Sequence, residues 1–297
     1  MLIIDKLFNS FHGAFAPNTI RAYRSDFDHY ADWCKKYQYN PINIKTEQMM
    51  NYVEHLSENL KVATIERRLA SLGSIFKLSK SPNPINEPEV ILAMKRIKRK
   101  LGKIQKQAAP LTFNILNQML MICDESPKGI RNQVLLRLGY ETMRRRSEIC
   151  RFRFEDIQSL DNKKFVILLR QSKTDQFGIG KRIPISNELY RLIMRWAKLL
   201  GESHGYILRS FKRNLRVNAS LNPASLNEIL KNLQRKSGVL DGEDLSGHSF
   251  RVGAALDLLE RGDSLERIML KGGWKSDSSA MRYLRNWNEC SYYDSPM

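Results

Sequence analysis

The sequence predicts a mainly α-helical chain of two domains, with a small antiparallel β-hairpin or sheet inside the second domain. Apolar residues recur at spacings of three and four over most of the chain, the pattern of helices that bury one face. Two short β-prone segments flank a polar, glycine-containing loop between residues 164 and 185. The length of 297 residues lies where one hydrophobic core usually gives way to two domains, at ~250–300 residues.

Residues 1–103 are predicted to form an N-terminal domain of four to five short helices. Asn18 is a candidate N-cap for a helix that extends to about residue 36, and Thr46 opens the next helix. Further helices are expected from about Ala63 and after Pro88, separated by a break that contains two prolines. The apolar stripe of the first helix favours core packing over base stacking, and its members are Ile20, Tyr23, Phe27, Tyr30 and Trp33.

The helix after Pro88 has a basic face that precedes the predicted interdomain linker, residues 104–110. Such a run can be a merely solvated surface, but its place beside a linker favours contact with the phosphates of a nucleic acid. The residues predicted to make this contact are Lys95, Arg96, Lys98, Arg99 and Lys100. The linker itself is assigned because it lacks apolar periodicity.

Residues 111–297 are predicted to form the second, α-rich domain. Thr112 is a candidate cap for its first helix. The segments 164–169 and 182–185 are expected to pair as the hairpin. Further helices are expected near 129–142, 145–151, 187–200, 224–236, 247–261, 264–271 and 276–287.

The chain is strongly basic, with a formal net charge of +18. Residues 1–103 hold 17 basic and 10 acidic side chains (+7), and the remainder holds 32 and 21 (+11). A protein this basic is expected to meet a polyanion. Two basic domains suit a clamp around a nucleic-acid duplex better than they suit a basic tail on a neutral enzyme. A solubilising surface is the alternative.

Cysteine usage and hydropathy favour a cytoplasmic protein that does not enter a membrane. Cys34, Cys123, Cys150 and Cys290 are scattered and form no metal-binding spacing, which indicates reduced thiols. No signal peptide is recognised at the N-terminus. No run approaches the ~20 apolar residues of a membrane span. No metal and no cofactor are expected.

Four residues near the C-terminus carry the chemistry. His248 and Arg251 are three apart in a helix-compatible run, so their side chains share one face. Trp274 and Tyr283 follow, the latter in another amphipathic run. Histidine, arginine and tyrosine at one spot suit attack on a phosphodiester, with tyrosine as nucleophile, arginine holding the phosphate and histidine moving protons.

These motifs resemble the catalytic half of the tyrosine site-specific recombinases, most closely the Cre-like members. The matching residues are His248-Ser249-Phe250-Arg251, Gly273-Trp274 and Tyr283, with tryptophan where other members have a second histidine. Upstream, Arg145-Arg146-Ser147-Glu148-Ile149 matches the motif that carries the family's first arginine, and Glu148 and Ile149 set its register. The resemblance covers nearly the whole chain and is most specific in the last third.

The resemblance implies a role for each site residue. Arg145 and Arg251 would neutralise the phosphate, and Glu148 would orient its neighbours. Lys173, in the hairpin loop, would be the general acid, with Lys181 as a competing candidate and a backbone contact as the alternative role. His248 would be the proton partner of Tyr283. Trp274 would donate its indole N–H to the phosphate, or serve only as core packing.

The resemblance also implies contacts with DNA outside the catalytic residues. Arg144 and Arg146 are interpreted as surface or DNA-backbone contacts. The helix near 224–236 would read the major groove, with Ser225 and Asn227 as candidate contacts. Cre-like enzymes have an arginine at the start of that helix, so Ala224 and Ser225 predict a different target sequence.

By resemblance, the chain would be a site-specific recombinase that works through a 3′-phosphotyrosine and a Holliday junction, without metal or ATP. Its partners would be double-stranded DNA with an inverted-repeat site and three further copies of itself. The residues after Tyr283 do not resemble the helix that Cre-like enzymes place there, so how subunits interlock stays open. Tyr292 and Tyr293 lie in that segment and are poorer candidates for the nucleophile.

Two other functions remain open at this point. A type IB topoisomerase-like enzyme would share the chemistry but relax DNA without a partner site. A basic, non-catalytic DNA-binding protein is the second alternative, and the retained set of Arg145, Lys173, His248, Arg251 and Tyr283 speaks against it. The target sequence, the direction of the reaction, accessory proteins and the host element are not readable from the sequence.

Overall fold

The computed structural model describes residues 2–102, 107–160, 163–172, 180–214, 216–240 and 242–284. The chain divides into two compact units, Met1–Lys106 and Gln107–Met297. Within the described residues the structure is mainly helical with one small antiparallel sheet, which confirms the predicted fold class. No helix among these residues combines the length and the apolar character that a membrane span requires.

Within the described residues, the first unit contains five α-helices: α1 Leu2–Ser10, α2 Pro17–Lys36, α3 Thr46–Asn59, α4 Val62–Leu78 and α5 Pro88–Leu101. The predicted stripe of α2 contributes to the core, where Phe27, Tyr30 and Trp33 are buried. The predicted cap is wrong by two residues, because α2 begins at Pro17 after Ala16. Proline is favoured at the first helical position, since its φ is already helical and its missing N–H would have no partner there.

A buried carboxylate joins two helices of this unit. Asp26 of α2 is 2% exposed and accepts hydrogen bonds from Arg67 and, at 2.7 Å, from Ser71 Oγ, both on α4. A buried carboxylate is tolerated only when it is paired in this way. The pairing therefore sets the packing of α2 against α4.

The second unit contains eight helices and three strands within the described residues: α6 Phe113–Met121, α7 Pro127–Thr142, α8 Arg146–Ile149, β1 Ile157–Leu160, β2 Lys164–Leu169, β3 Lys181–Ile185, α9 Asn187–Leu200, α10 Pro223–Ser237, α11 Ser249–Glu260, α12 Leu265–Gly272 and α13 Asp277–Leu284. Strands β2 and β3 form the predicted antiparallel pair. Strand β1 adds to the free edge of β2, so the hairpin is part of a three-stranded sheet in the order β1-β2-β3. The four residues of β1 are half-buried or exposed, which leaves little apolar alternation to predict it.

Helix α7 is the centre of the second core and positions the helices around it. Its residues are buried on several sides, including Ile130, Val134, Leu135 and Leu138. Helix α11 packs close to it, because a Cβ on Gly139 would lie only 2.6 Å from the ring of Phe250. This close approach brings the N-terminal end of α11 beside the C-terminal end of α7.

The end of the predicted linker belongs to this packing. Ala109 is 5% exposed and lies in the second core. Leu111 N donates to Ser249 O at 3.0 Å, at the start of α11. A Cβ on Gly253 would lie 1.9 Å from Leu111 O, so the incoming chain lies directly on α11.

Candidate active site

The predicted site residues converge where α7 ends, α11 begins and the turn between α12 and α13 passes. Six of these residues are linked here by direct contacts or by the effect of one charge on another, although they lie up to 138 residues apart in the chain. They are Arg145, Glu148, His248, Arg251, Trp274 and Tyr283. The predicted grouping of these six is therefore present in the structure. Each of them is positioned by a specific local feature of the fold.

Arg251 is the most buried of the functional side chains, with 1% exposed. Its Nη1 donates to Met143 O at 2.7 Å and to Gly272 O at 3.1 Å. Burial first, and then the charges of Arg145 and Arg144, lower the pKa of Arg251 to about 10. The side chain therefore remains a cation at neutral pH. Its Nε is buried and has no hydrogen-bond partner among the described residues.

Met143 supplies one of those carbonyl groups from an unusual backbone conformation. It ends α7 with φ +52° and ψ +33°, in the left-handed region, and it is fully buried. A non-glycine residue in this region costs on the order of 1–3 kcal/mol, and such strain is concentrated at functional sites. The reversal at Met143 ends the helix and turns its carbonyl towards Arg251.

Arg145 and Glu148 form a capping box at the start of α8. Glu148 is 3% exposed; its Oε2 accepts from Arg145 N at 3.0 Å and its Oε1 from Arg145 Nη1 at 3.1 Å. The carboxylate therefore holds both the backbone and the guanidinium of Arg145. The Arg145 side chain keeps 30% of its surface exposed.

His248 and Tyr283 are joined by a short hydrogen bond. His248 Nε2 lies 2.5 Å from the phenolic oxygen of Tyr283. Although His248 is exposed at the surface, partial desolvation of its ring, followed by the charges of Arg251, Arg145 and Arg146, lowers its pKa. The imidazole is therefore neutral at pH 7 and can accept a proton. The tautomer with the acceptor at Nε2 is the one that fits a phenol donor.

The turn before His248 is held by two polar side chains. Ser246 Oγ accepts from His248 N at 3.2 Å, and Asn227 Oδ1 accepts from Gly247 N at 3.0 Å. Gly247 lies against Arg146, whose Cβ would be 2.7 Å from a Cβ at position 247. The contact of Asn227 was not predicted; nothing in the sequence spacing indicates it.

Trp274 packs between Arg251 and Tyr283. The guanidinium carbon of Arg251 lies 4.5 Å from the centroid of the indole, and the ring of Tyr283 lies 5.4 Å away. Trp274 is 9% exposed. A guanidinium over an indole face is an attractive cation–π contact. Packing is thus part of the role of Trp274, whether or not its N–H also reaches a phosphate.

Arg144 requires a correction. The sequence predicts a surface or DNA-backbone contact for this residue, but in the structure it is 4% exposed. Its Nε donates to Thr142 O at 2.7 Å and its Nη2 donates to Lys271 O. Because the left-handed turn at Met143 sends the chain in a new direction, the first of the three arginines points into the protein. Arg146 is exposed, as expected.

The other predicted site residues are placed as follows. Lys173 lies outside the described residues, as do Tyr292 and Tyr293. Lys181 Nζ donates to Leu270 O at 2.5 Å, and burial followed by the charge of Arg144 lowers its pKa. On α5, Lys95, Arg96, Arg99 and Lys100 are exposed, whereas Lys98 is half-buried and pairs with Glu66 Oε1 at 2.6 Å. Ser225 and Asn227 are half-buried at the start of α10.

Gln107 is a second residue whose contribution was not predicted from the sequence. Its Nε2 donates to the carbonyl oxygen of Tyr283 at 3.1 Å, which fixes the backbone of the candidate nucleophile. It lies in the predicted linker, where no apolar pattern drew attention to it. Among the described residues, no group of His, Cys, Asp and Glu side chains is arranged to hold a metal ion.

Comparison with known proteins assigns this arrangement to a family. The phage integrase family matches residues 109–289, and the N-terminal SAM-like domain of phage integrases matches residues 10–81. An integrase/recombinase xerD homolog of Selenomonas ruminantium is 28% identical over 285 residues, covering 92% of this chain and 83% of the relative. Recombinase cre of Escherichia phage P1 is 28% identical over 292 residues, covering 92% and 85%.

The fold is also found among solved structures. A lambda integrase dimer bound to a COC′ core site has a TM-score of 0.67 with 16% sequence identity, covering 99% of this chain and 98% of that one. At this identity the similarity shows the fold alone. The predicted resemblance to tyrosine recombinases is confirmed by the family match together with the curated relatives.

Proposed function

Because the chain belongs to the phage integrase family and is a tyrosine recombinase, we propose that it cleaves and rejoins duplex DNA at a specific site through a covalent bond to Tyr283. Strand exchange then passes through a Holliday junction, without metal or ATP. The observation that carries this proposal is the hydrogen bond between Tyr283 and His248, at 2.5 Å, beside two arginines.

The first step needs a phenol that can lose its proton. A phenol is a weak acid, with an ordinary pKa of ~10, so attack requires a base within hydrogen-bond reach. His248 has this position, and its lowered pKa keeps it neutral. As the oxygen of Tyr283 attacks phosphorus, its proton passes to His248 Nε2.

Two guanidinium groups support the negative charge that develops on the phosphate. Arg251 is held in place by two backbone carbonyls, and Arg145 by Glu148. Preorganised donors of this kind need no reorientation during the reaction and are often the largest single contribution to catalysis. Trp274, packed on Arg251, limits the movement of that guanidinium, and in this proposal its N–H is a further donor to the phosphate.

The reaction exchanges one phosphate ester bond for another and therefore needs no external energy source. The bond between Tyr283 oxygen and phosphorus forms while the bond from phosphorus to the 5′ oxygen breaks, leaving a 3′-phosphotyrosine and a 5′ hydroxyl. Lys173 supplies the proton for the leaving oxygen in this proposal, by resemblance to the family. Attack by a 5′ hydroxyl of another strand reverses the step and releases Tyr283.

The proposed substrate is double-stranded DNA with an inverted-repeat site, bound by four copies of the chain on two paired sites. The net charge of +18 and the exposed basic face of α5 support a polyanionic partner. The contacts proposed from the exposed part of this face are those of Lys95, Arg96, Arg99 and Lys100, with Arg146 near the catalytic residues and Ser225 and Asn227 on α10. Lys98, paired with Glu66, would contribute less.

Covalent capture on a pooled library of nicked, inverted-repeat duplexes tests the proposal. The protein is incubated with the pool, denatured in detergent, and the attached DNA is sequenced. Tyr283→Phe removes the nucleophile, and Tyr190→Phe is the matched control, because Tyr190 lies on α9, stacked on Phe165. Wild type and Tyr190→Phe should form covalent adducts with duplexes that carry one particular inverted repeat, and Tyr283→Phe should form no adduct.

Other outcomes would change the assignment. Adducts spread over the whole library would favour a topoisomerase-like enzyme. Retained DNA binding without any adduct would overturn the catalytic proposal in favour of a non-catalytic binder. Adducts that persist in Tyr283→Phe would move the nucleophile to another residue, with Tyr292 and Tyr293 as the next candidates.

A further inference from the structure

Among the described residues of the candidate active site, Arg144 is a buried charge that the proposed mechanism does not use. It is 4% exposed, while Arg145 beside it is half-buried and Arg146 is exposed. The charge of Glu148 acts on it, but no carboxylate among the described residues lies within ion-pair distance of it. Burying a cation without an ion-pair partner is costly, so its hydrogen bonds must compensate.

Those hydrogen bonds go to the ends of two helices. Thr142 O belongs to the last residue of α7, and Lys271 O to the last turn of α12. The final carbonyl groups of a helix lack partners within it and carry the negative end of its dipole. A guanidinium between two such ends satisfies both, and it joins α7 to α12 through a single side chain.

The turn after α12 is shaped around the same guanidinium. Gly273 has φ +68°, and a Cβ there would lie 2.4 Å from Arg144 Nη1. At Gly272 a Cβ would lie 2.0 Å from the indole of Trp274. The guanidinium, the two glycines and the indole are therefore packed as one unit, with no space for a side chain between them.

That unit adjoins the reacting groups. Trp274 contacts Arg251 and Tyr283, and Gly272 O accepts a hydrogen bond from Arg251 Nη1 at 3.1 Å. A displacement of the turn would therefore move a carbonyl and an aromatic ring that hold Arg251, together with the ring beside Tyr283. Misplacement by about 1 Å can cost an enzyme a factor of ~100 in rate.

We propose that Arg144 is a positioning residue for strand cleavage, which fixes the Gly272–Trp274 turn against the end of α7 and so aligns Arg251 and Tyr283. It does not contact the DNA phosphate. This inference rests on the proposed function, because it names a residue that serves the same reaction. It predicts a defect in the cleavage step with DNA affinity unchanged.

The test compares Arg144→Met and Arg144→Lys with Arg131→Met in the full chain. Arg131 is a matched control: it is 3% exposed, it lies in α7, and its Nη1 also donates to a backbone carbonyl, that of Arg209, at 2.9 Å. The cleavage rate is measured at saturating concentrations of a nicked duplex that the wild type captures. DNA affinity and its salt dependence are measured by titration, and rates are corrected for the folded fraction.

Arg144→Met should cleave about 10- to 100-fold more slowly, with a dissociation constant for DNA within about threefold of wild type. Arg144→Lys should recover part of the rate, because an ammonium can still donate to a carbonyl but cannot reproduce the planar fork. Arg131→Met should stay within about threefold of wild type. If Arg144→Met does not fold, Arg144→Lys alone must show the slower cleavage.

A spectroscopic readout checks the geometry without DNA. In protein labelled with 5-fluorotryptophan, Arg144→Met should shift the ¹⁹F resonance of Trp274 and leave that of Trp196 in place. Arg131→Met should do the reverse, because Arg131 lies over Phe211, which packs on Trp196. An unmoved Trp274 signal in Arg144→Met would overturn the proposal.

The kinetic results separate this inference from the function on which it rests. If the wild type cleaves DNA and Arg144→Met cleaves it at the same rate, only the proposed role of Arg144 is overturned. A different result would restore the interpretation of Arg144 as a phosphate contact and overturn the proposal. In that case Arg144→Met would bind DNA more weakly, the dependence of the logarithm of affinity on the logarithm of salt concentration would be less steep by about one, and the cleavage rate would be normal. If the wild type forms no covalent adduct with DNA, the proposed function itself is overturned, and the inference about Arg144 is overturned with it.

Discussion

The carbonyl oxygen of Met143 accepts a hydrogen bond from Nη1 of the buried Arg251 at 2.7 Å, although Met143 is a non-glycine residue at φ +52°. The strained backbone of Met143 thus helps to fix the position of Arg251, a candidate catalytic cation on another helix. The same reversal sends Arg144 into the protein and ends α7. The conformation of Met143 therefore affects three features of the site at once.

Met143→Gly should lower the free energy of unfolding, even though glycine accepts the left-handed conformation without strain. Relief of the strain contributes about 1–3 kcal/mol. Loss of a fully buried methionine side chain costs about 2–5 kcal/mol. We expect a net loss of about 1–3 kcal/mol, measured by urea unfolding.

Gln38→Gly is the control for the strain alone. Gln38 also has a positive φ, +59°, but its side chain is exposed. This variant should be unchanged or more stable by up to about 1 kcal/mol. If Met143→Gly proves more stable than wild type, then packing of the methionine contributes less than its burial indicates.

Arg251→Lys should abolish most of the cleavage activity while retaining the charge. Nη1 of Arg251 already serves two carbonyl groups, and a lysine would have one nitrogen to divide between these carbonyls and a phosphate. Loss of a preorganised donor of this kind costs roughly 100- to 1000-fold in rate. The measurement is the single-turnover rate of adduct formation.

Arg191→Lys makes the same chemical change at an exposed position on α9 and should leave that rate unaltered. Near-normal cleavage by Arg251→Lys would show that charge alone, without the guanidinium geometry, supports the reaction. The role of the two backbone carbonyls would then be structural only.

Helices with strong apolar periodicity were predictable from the sequence, and weakly patterned elements were not. The stripe that includes Tyr30 and Trp33 predicted a buried face of α2, and the structure buries both residues. Helix α1 was not assigned, although Phe8 packs on Phe27 of α2. Its nine residues offer only two to three turns, too few for a clear period.

The candidate site was predictable where a motif carried it, as at His248 and Arg251, and not where a distant contact decided the outcome. Three consecutive arginines suggest a solvated surface. Arg144 is buried because Lys271 O and the turn at Gly273 accommodate it, and both lie over 120 residues away in the chain. Gln107 was missed as a support for the same reason, because its partner Tyr283 is also distant in the chain. Asn227 was missed because no spacing or motif marks its contact with Gly247.

Asn227→Ala should destabilise the chain and slow cleavage, because Gly247 N would lose its acceptor beside His248. An unsatisfied buried donor costs about 1–3 kcal/mol, and Gly247 is buried. Asn227→Asp keeps an oxygen acceptor and should retain the stability. Urea unfolding together with single-turnover cleavage measures both effects.

The pair also tests whether Asn227 contacts DNA. If its amide N–H₂ donates to DNA, the folded fraction of the neutral variant Asn227→Ala will bind DNA more weakly, whereas the added charge of Asn227→Asp weakens binding in either case. If Asn227→Ala is as stable as wild type, the contact with Gly247 has no energetic importance. Ser225→Ala, on the same turn of α10, is the comparison for an effect on DNA binding alone.

The pH dependence of cleavage should identify His248 as the base. Cleavage requires the neutral imidazole, and the pKa of His248 is lowered from its ordinary value of 6.5. The rate should therefore stay high as the pH falls through 6.5 and should decline only at lower pH, where the imidazole becomes protonated. One of the charges that lower this pKa belongs to Arg146, which is exposed. Removing that charge in Arg146→Gln should raise the pKa of His248 and move the acidic limb of the rate profile to higher pH.

Arg151→Gln removes an exposed charge that does not contribute to this shift and should leave the profile in place. The profile is measured as single-turnover adduct formation at constant ionic strength, because salt would screen the charge of Arg146. The assignment of the titrating group would be contradicted if the acidic limb of the rate profile did not move in Arg146→Gln. It would also be contradicted if the limb moved equally in Arg151→Gln. Persistence of the same limb in His248→Gln would transfer the proton-accepting role to another residue.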